Sequence, residues 1–121
     1  MAARSIAVEY DVSTQVGQPS SPYDGYDPGG MWSQVSLVVS TRAACTVNGQ
    51  RAAWKAVAKF SYTGTKGGSS SSTSIPVEVT LTGSSTALTV DGQPLLRDGD
   101  SKSDRFGNTI RVSASGPLRS E

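Results

Sequence analysis

Thr46-Val47-Asn48-Gly49-Gln50 and Thr89-Val90-Asp91-Gly92-Gln93 are two copies of one pattern. Asn-Gly and Asp-Gly accept the positive φ angles of a two-residue hairpin turn, so each copy reads as a strand running into a reversal. Asn48, Gly49, Asp91 and Gly92 are the turn formers. A recurring unit predicts one hairpin used twice, and with it an antiparallel architecture.

Strand patterns extend outward from the first turn. Beyond it, Ala52, Trp54, Ala56, Ala58, Phe60 and Tyr62 share one parity while Lys55, Lys59 and Ser61 hold the other. The alanines raise helix propensity across Arg51 to Lys59, but the alternation and the preceding turn favour a strand with Trp54, Phe60 and Tyr62 on one face. Before the turn, Val35, Leu37 and Val39 alternate with Ser36 and Ser40, and the strand runs on through Ala43, Cys45 and Val47 with their side chains inward. Ile75, Val77, Val79 and Leu81 form the clearest strand, with Pro76 suited to its beginning or to a sheet edge. Ile6, Val8, Tyr10 and Val12 alternate with Ala7, Glu9 and Asp11, predicting an opening strand that ends near Ser13. The second turn leads to Leu95 and Leu96, and a last strand runs through Ile110, Arg111 and Val112.

The expected fold class is therefore all-β: antiparallel strands and short hairpins in a single compact domain over residues 1–121. Strand signals alone leave sandwich, barrel and cone open. Pro19, Pro22 and Pro28 with Gly17, Gly25, Gly29 and Gly30 predict a long N-terminal loop or arm over 13–30. A Gly/Ser-rich flexible loop is predicted over 64–74, where Ser69 to Ser72 are consecutive. Tyr23, Tyr26, Met31 and Trp32 cluster towards the end of the first loop, where the rings serve protein contact, sugar stacking or packing back on the sheet. Tyr23, Tyr26, Trp32 and Trp54 are the partner-contact candidates.

Composition limits the chemistry. Eleven basic and ten acidic residues leave a net charge of +1, and the basic ones are scattered from Arg4 to Arg119, which argues against nucleic acid as a partner. No apolar stretch is long enough to span a membrane. The start, Met1-Ala2-Ala3-Arg4-Ser5, lacks the apolar core of a signal peptide, so synthesis in a cytoplasm is expected. With one cysteine and no histidine, an internal disulfide, a Ser-His-Asp triad and a zinc site all lack their parts. Cys45 reads as a small inward side chain. Asp98, Asp100, Asp104 and Asn108 resemble a calcium loop in density, yet Lys102 and Gly99 stand where the known loop has other residues, and turn formation is the favoured reading. No cofactor and no enzymatic activity are expected.

Val90-Asp91-Gly92-Gln93-Pro94-Leu95-Leu96-Arg97-Asp98-Gly99-Asp100 resembles a unit of the PAAR-repeat proteins that tip contractile injection machines. Pro94-Leu95-Leu96-Arg97 stands at the tetrapeptide, Gly99-Asp100 follows at the family's spacing, and Ile110 and Ser115-Gly116-Pro117 resemble further landmarks, the last permuted. The first repeat keeps the turn and loses the proline and the Gly-Asp ending. The family's zinc apex needs histidines that this chain lacks. The resemblance thus implies a metal-free PAAR-like cap docking on a trimeric spike, a non-enzymatic structural component of an assembled phage or injection particle. A self-associating capsid-decoration or tail-tube protein, and a carbohydrate-binding β-sandwich, are the alternatives.

Overall fold

A computed structural model describes residues 3–18, 22–27, 29–68 and 71–121. Both predicted reversals are present in the same form: φ is 51° and 81° at Asn48 and Gly49, and 52° and 78° at Asp91 and Gly92. Positive φ at both central residues gives the turn the right-handed twist of the strands it joins. A Cβ at Gly92 would meet nothing within 4 Å, so Gly92→Ala should cost only the left-handed backbone strain, about 1–2 kcal/mol. A lower urea midpoint at unchanged slope would register it.

The strands are β1 (Arg4–Ser5), β2 (Val12–Gln15), β3 (Met31–Val47), β4 (Gln50–Thr65), β5 (Ser72–Thr82), β6 (Thr89–Val90), β7 (Gln93–Pro94), β8 (Ser101–Ser103), β9 (Thr109–Val112) and β10 (Arg119–Ser120). A single 3-10 turn, Glu9–Asp11, is the one helical element among the described residues. All pairings are antiparallel, and the molecule is all-β as expected. The main sheet has the order β3-β4-β5 and a smaller one the order β2-β9-β8. The two face each other, with β5 beside β8 and β9 and β2 beside β3. Side chains of both fill the space between: Ala56, Ala58, Phe60, Tyr62, Val79 and Leu81 from one, Val12, Ile110 and Val112 from the other. A second, smaller cluster of Ile6, Val47, Ala52, Val90 and Leu95 lies at the hairpin end.

The two turns do not make two equal hairpins. The first joins strands of 17 and 16 residues, the second strands of two. After Pro94 the backbone is drawn elsewhere: Leu96 N–H donates to Ala53 O, its carbonyl accepts from Ala7 N–H, and the Leu95 carbonyl accepts from Ser84 and Ser85. Leu95 and Leu96, both fully buried, are thus core pieces between sheets and not a continuing ribbon.

The opening segment also departs from its alternating pattern. Ile6 and Ala7 are both fully buried because the chain threads between the two clusters, bonding by Ile6 N–H to Leu118 O and by Ala7 O to Ala53 N–H. The Asp11 carboxylate then accepts the Val8 N–H at 3.0 Å while Asp11 N–H donates to Val8 O. That local closure makes the 3-10 turn and leaves Tyr10 82% exposed where an inward position was expected.

Irregular pairing shifts the phase of the long ribbon in three places, near Val35, near Trp54 and over 43–45. Ser40 faces Lys55 and Thr41 faces Ala53, so Trp54 is an extra residue on β4. Trp54 therefore packs, half-buried, against the smaller cluster, not on the Phe60 and Tyr62 face. Ala43 is exposed in the 43–45 irregularity, whereas Cys45 is half-buried against the smaller cluster and Val47 is buried. Both predicted loops shrink. Ser13 to Gln15 of the 13–30 segment belong to β2, and β3 begins directly after that segment, at Met31; Pro19 and Pro28 lie outside the described residues. Gly64 and Thr65 pair with Thr73 and Ser72, the Thr63 and Ser74 hydroxyls are 2.9 Å apart, and the ladder runs into the region read as flexible. Ser69 and Ser70 lie outside the described residues. Pro76 is on the edge strand β5, where one missing amide donor is tolerated.

Candidate docking surface

The four residues of the calcium-like segment use their oxygens on the protein itself. Asp98 Oδ1 accepts from Ala114 N–H at 2.9 Å. Asp104 accepts from the Phe106 and Asn108 amides and from Asn108 Nδ2, at 2.9 to 3.0 Å. Asn108 is fully buried, and its Oδ1 accepts the Gly17 N–H at 2.7 Å. Asp100, only 8% exposed, accepts from the Ser84 hydroxyl at 2.7 Å, from Arg97 N–H at 2.8 Å and from the Arg4 guanidinium at 3.3 Å. These are three separate networks: the bonds of Asp104 and the Asp100 bond to Arg97 N–H close local turns, while the others tie distant segments together. Among the described residues no group of three or more His, Cys, Asp or Glu side chains is disposed to hold a metal ion.

Asp100 is the hub of a polar knot. Arg97, 7% exposed, donates Nε to Ser84 Oγ at 2.9 Å and Nη1 to Ser120 O at 3.2 Å. Ser84 thus sits between the guanidinium and the carboxylate and relays between them. Arg4 and Ser120 belong to β1 and β10, so the knot clasps the two outermost strands to the segment 94–100.

The contact candidates Tyr23, Tyr26 and Trp32 turn inward. Trp32 is 4% exposed and packs within 5.0 Å and 5.1 Å, centroid to centroid, of Tyr62 and Phe106. Tyr23 lies against Phe106, and Tyr26 stands edge-on to Tyr62. The Tyr62 hydroxyl donates to Asp27 O at 2.9 Å and accepts the Gly30 N–H at 3.0 Å, pinning the loop to the sheet. Fold-back is what these rings do. Trp54 is half-buried, with the Arg42 guanidinium 4.8 Å above its ring, an arrangement of cation–π type.

What the surface does present lies elsewhere. The large apolar side chains left in solvent among the described residues are Tyr10, Met31, Val35 and Val38. Three of them are on β3, and Tyr10 shares a shallow hollow with Thr41 at that strand's far part. Met31, Val35 and Val38 are thus spread along one strand, with Tyr10 on the 3-10 turn beside its far part. β3 is an edge strand. β2 approaches it where Thr14 bonds the Gln34 side chain, and the 3-10 turn approaches near Thr41. Between those points, among the described residues, no backbone group of Val35 to Ser40 pairs with any strand but β4. No residue from Met31 to Thr41 is charged or proline. The opposite edge, β5, carries both Pro76 and Glu78, the usual protection against a foreign strand.

The sequence does not single out this edge. Alternation gives Val35 the same parity as Leu37 and Val39, but the irregularity between Gln34 and Ser36 turns Val35 out to 61% exposure while Leu37 and Val39 stay half-buried. The available signal was the run Leu37-Val38-Val39, where consecutive apolar residues must leave one side chain on the outer face, within eleven uncharged positions.

No family model matches the chain, and no match was found among curated proteins or solved structures. No helix among the described residues is long and apolar enough to cross a membrane.

Proposed function

We propose that this chain is a non-enzymatic structural component of a phage tail or contractile injection particle, acting by docking of its sheet surface on another protein. The observation that carries this reading is the exposure of Met31, Val35 and Val38 on the open edge strand β3, with Tyr10 exposed on the adjoining 3-10 turn. Apolar side chains gathered on one strip mark contact sites, and unpaired backbone groups beside them invite an added strand. In its most concrete form the protein is a metal-free PAAR-like tip on a trimeric spike. Support for that form comes from the segment that carries the resemblance: Arg97 and Asp100 are the buried partners that hold 94–100 rigidly against the first and last strands.

A self-associating decoration or tail-tube protein is the second reading, favoured by the neutrality of the β3 edge, which sets no like charges against a second copy. Sugar stacking needs an exposed ring face, and Trp32 has none. Co-expression with trimeric spike proteins encoded beside the gene tests the proposal. A stable complex that protects the amides of Val35 to Ser40 from hydrogen exchange is the expected result. A chain that binds no spike protein and no copy of itself would overturn it.

A further inference from the structure

The open edge of β3 has a definite occupant. We infer that two copies of this chain pair through β3, antiparallel about a two-fold axis near Leu37, and merge their main sheets into one of six strands. This rests on the docking reading above and names its partner.

Three observations point to a second copy. The stretch Val35 to Ser40 is open between the contacts at Gln34 and Thr41, an edge of roughly 20 Å. Antiparallel pairing along it and one residue beyond supplies about six backbone hydrogen bonds, within the range of about 10 ± 5 found at specific interfaces. The edge is also self-complementary. A two-fold axis near Leu37 sets Val35 of each copy opposite Val39 of the other and Val38 opposite Ser36, so the exposed valines of the two copies adjoin, with no charge from Met31 to Thr41 to oppose a like charge. Finally, the core margin gains. Leu37 and Val39, half-buried at that margin, become interior to a continuous sheet, and the exposed valines gain cross-strand neighbours. A six-stranded sheet is of ordinary size.

A charge on the edge is the natural disruption. Sedimentation velocity on the full chain from about 1 μM to about 500 μM should show a concentration-dependent dimer, with the amides of Val35 to Ser40 gaining exchange protection as it forms. Val38→Lys should raise the dimer dissociation constant about tenfold or more, by placing two lysines across the axis. Thr80→Lys, on the exposed face of β5, should leave it unchanged. Val38 is 60% exposed, so an unchanged thermal midpoint of diluted Val38→Lys protein verifies that the monomer is intact. A monomer at every concentration overturns the inference. So does a dimer indifferent to Val38→Lys that leaves Val35 to Ser40 unprotected. If the protein stays monomeric while a spike protein protects those same amides, self-pairing fails and the docking reading stands; if nothing protects them, both fail.

Discussion

Asp100→Ala is expected to destabilise the fold by about 3–5 kcal/mol, the cost of removing one partner from a buried charge network. Three donors lose their acceptor at once: the Ser84 hydroxyl, the Arg97 amide and the Arg4 guanidinium. The buried Arg97 guanidinium, tied to the carboxylate through Ser84, is left without its counter-charge. At this chain length each kcal/mol moves the melting point by roughly 4 °C, so a fall of more than about 10 °C in a circular dichroism melt is the readout. Asp24→Ala is the contrast. Its partner Arg105 and Asp24 itself are both more than half exposed, and screened surface pairs contribute little. Equal melting points for the two variants would mean that the knot does not hold the chain ends.

The second large effect is expected at Phe60. It is fully buried on the central strand β4, opposite Gln34 of β3 and Val77 of β5, at the middle of the layer between the sheets. Phe60→Ala removes the ring and leaves a cavity that its strand-bound neighbours cannot collapse, a loss of about 3–5 kcal/mol. Phe60→Leu keeps much of the volume and should cost under about 2 kcal/mol. Urea unfolding followed by tryptophan fluorescence would measure both. An alanine variant within about 1 kcal/mol of the parent would show that the Phe60 site repacks, contrary to the close-packed interior described.

Local chemistry was legible wherever it is settled by a few adjacent residues. Asn48-Gly49 and Asp91-Gly92 adopt the turn that their tolerance for positive φ predicts, and Ile75 to Leu81 form a strand because β-branched alternation has one good backbone solution. Asp104 and Asp100 act as the turn formers their type predicts, accepting nearby backbone amides, whereas the Asp98 carboxylate reaches the distant Ala114 amide. Reading failed where register intervenes. A single extra residue at Val35 or Trp54 moves side chains to the other side of the sheet, and nothing in the residues themselves announces it. Tyr23, Tyr26 and Trp32 stand out in the sequence as partner-contact candidates, but aromatic side chains near a sheet serve equally to fill a core, and these three turn inward. What decides it is the meeting of Tyr62 on β4 with Phe106, brought from the far part of the chain.

By itself the sequence determined the all-β class, the two reversals and the absence of any imidazole, because turns, alternation and composition act over a handful of neighbours. Tertiary structure alone decided which edge is left open, which valines meet solvent and which charges are clasped inside. Those outcomes depend on pairing between distant segments, Arg4 with Asp100 and β2 with β9, and the energy of such contacts exists only once the chain has closed on itself.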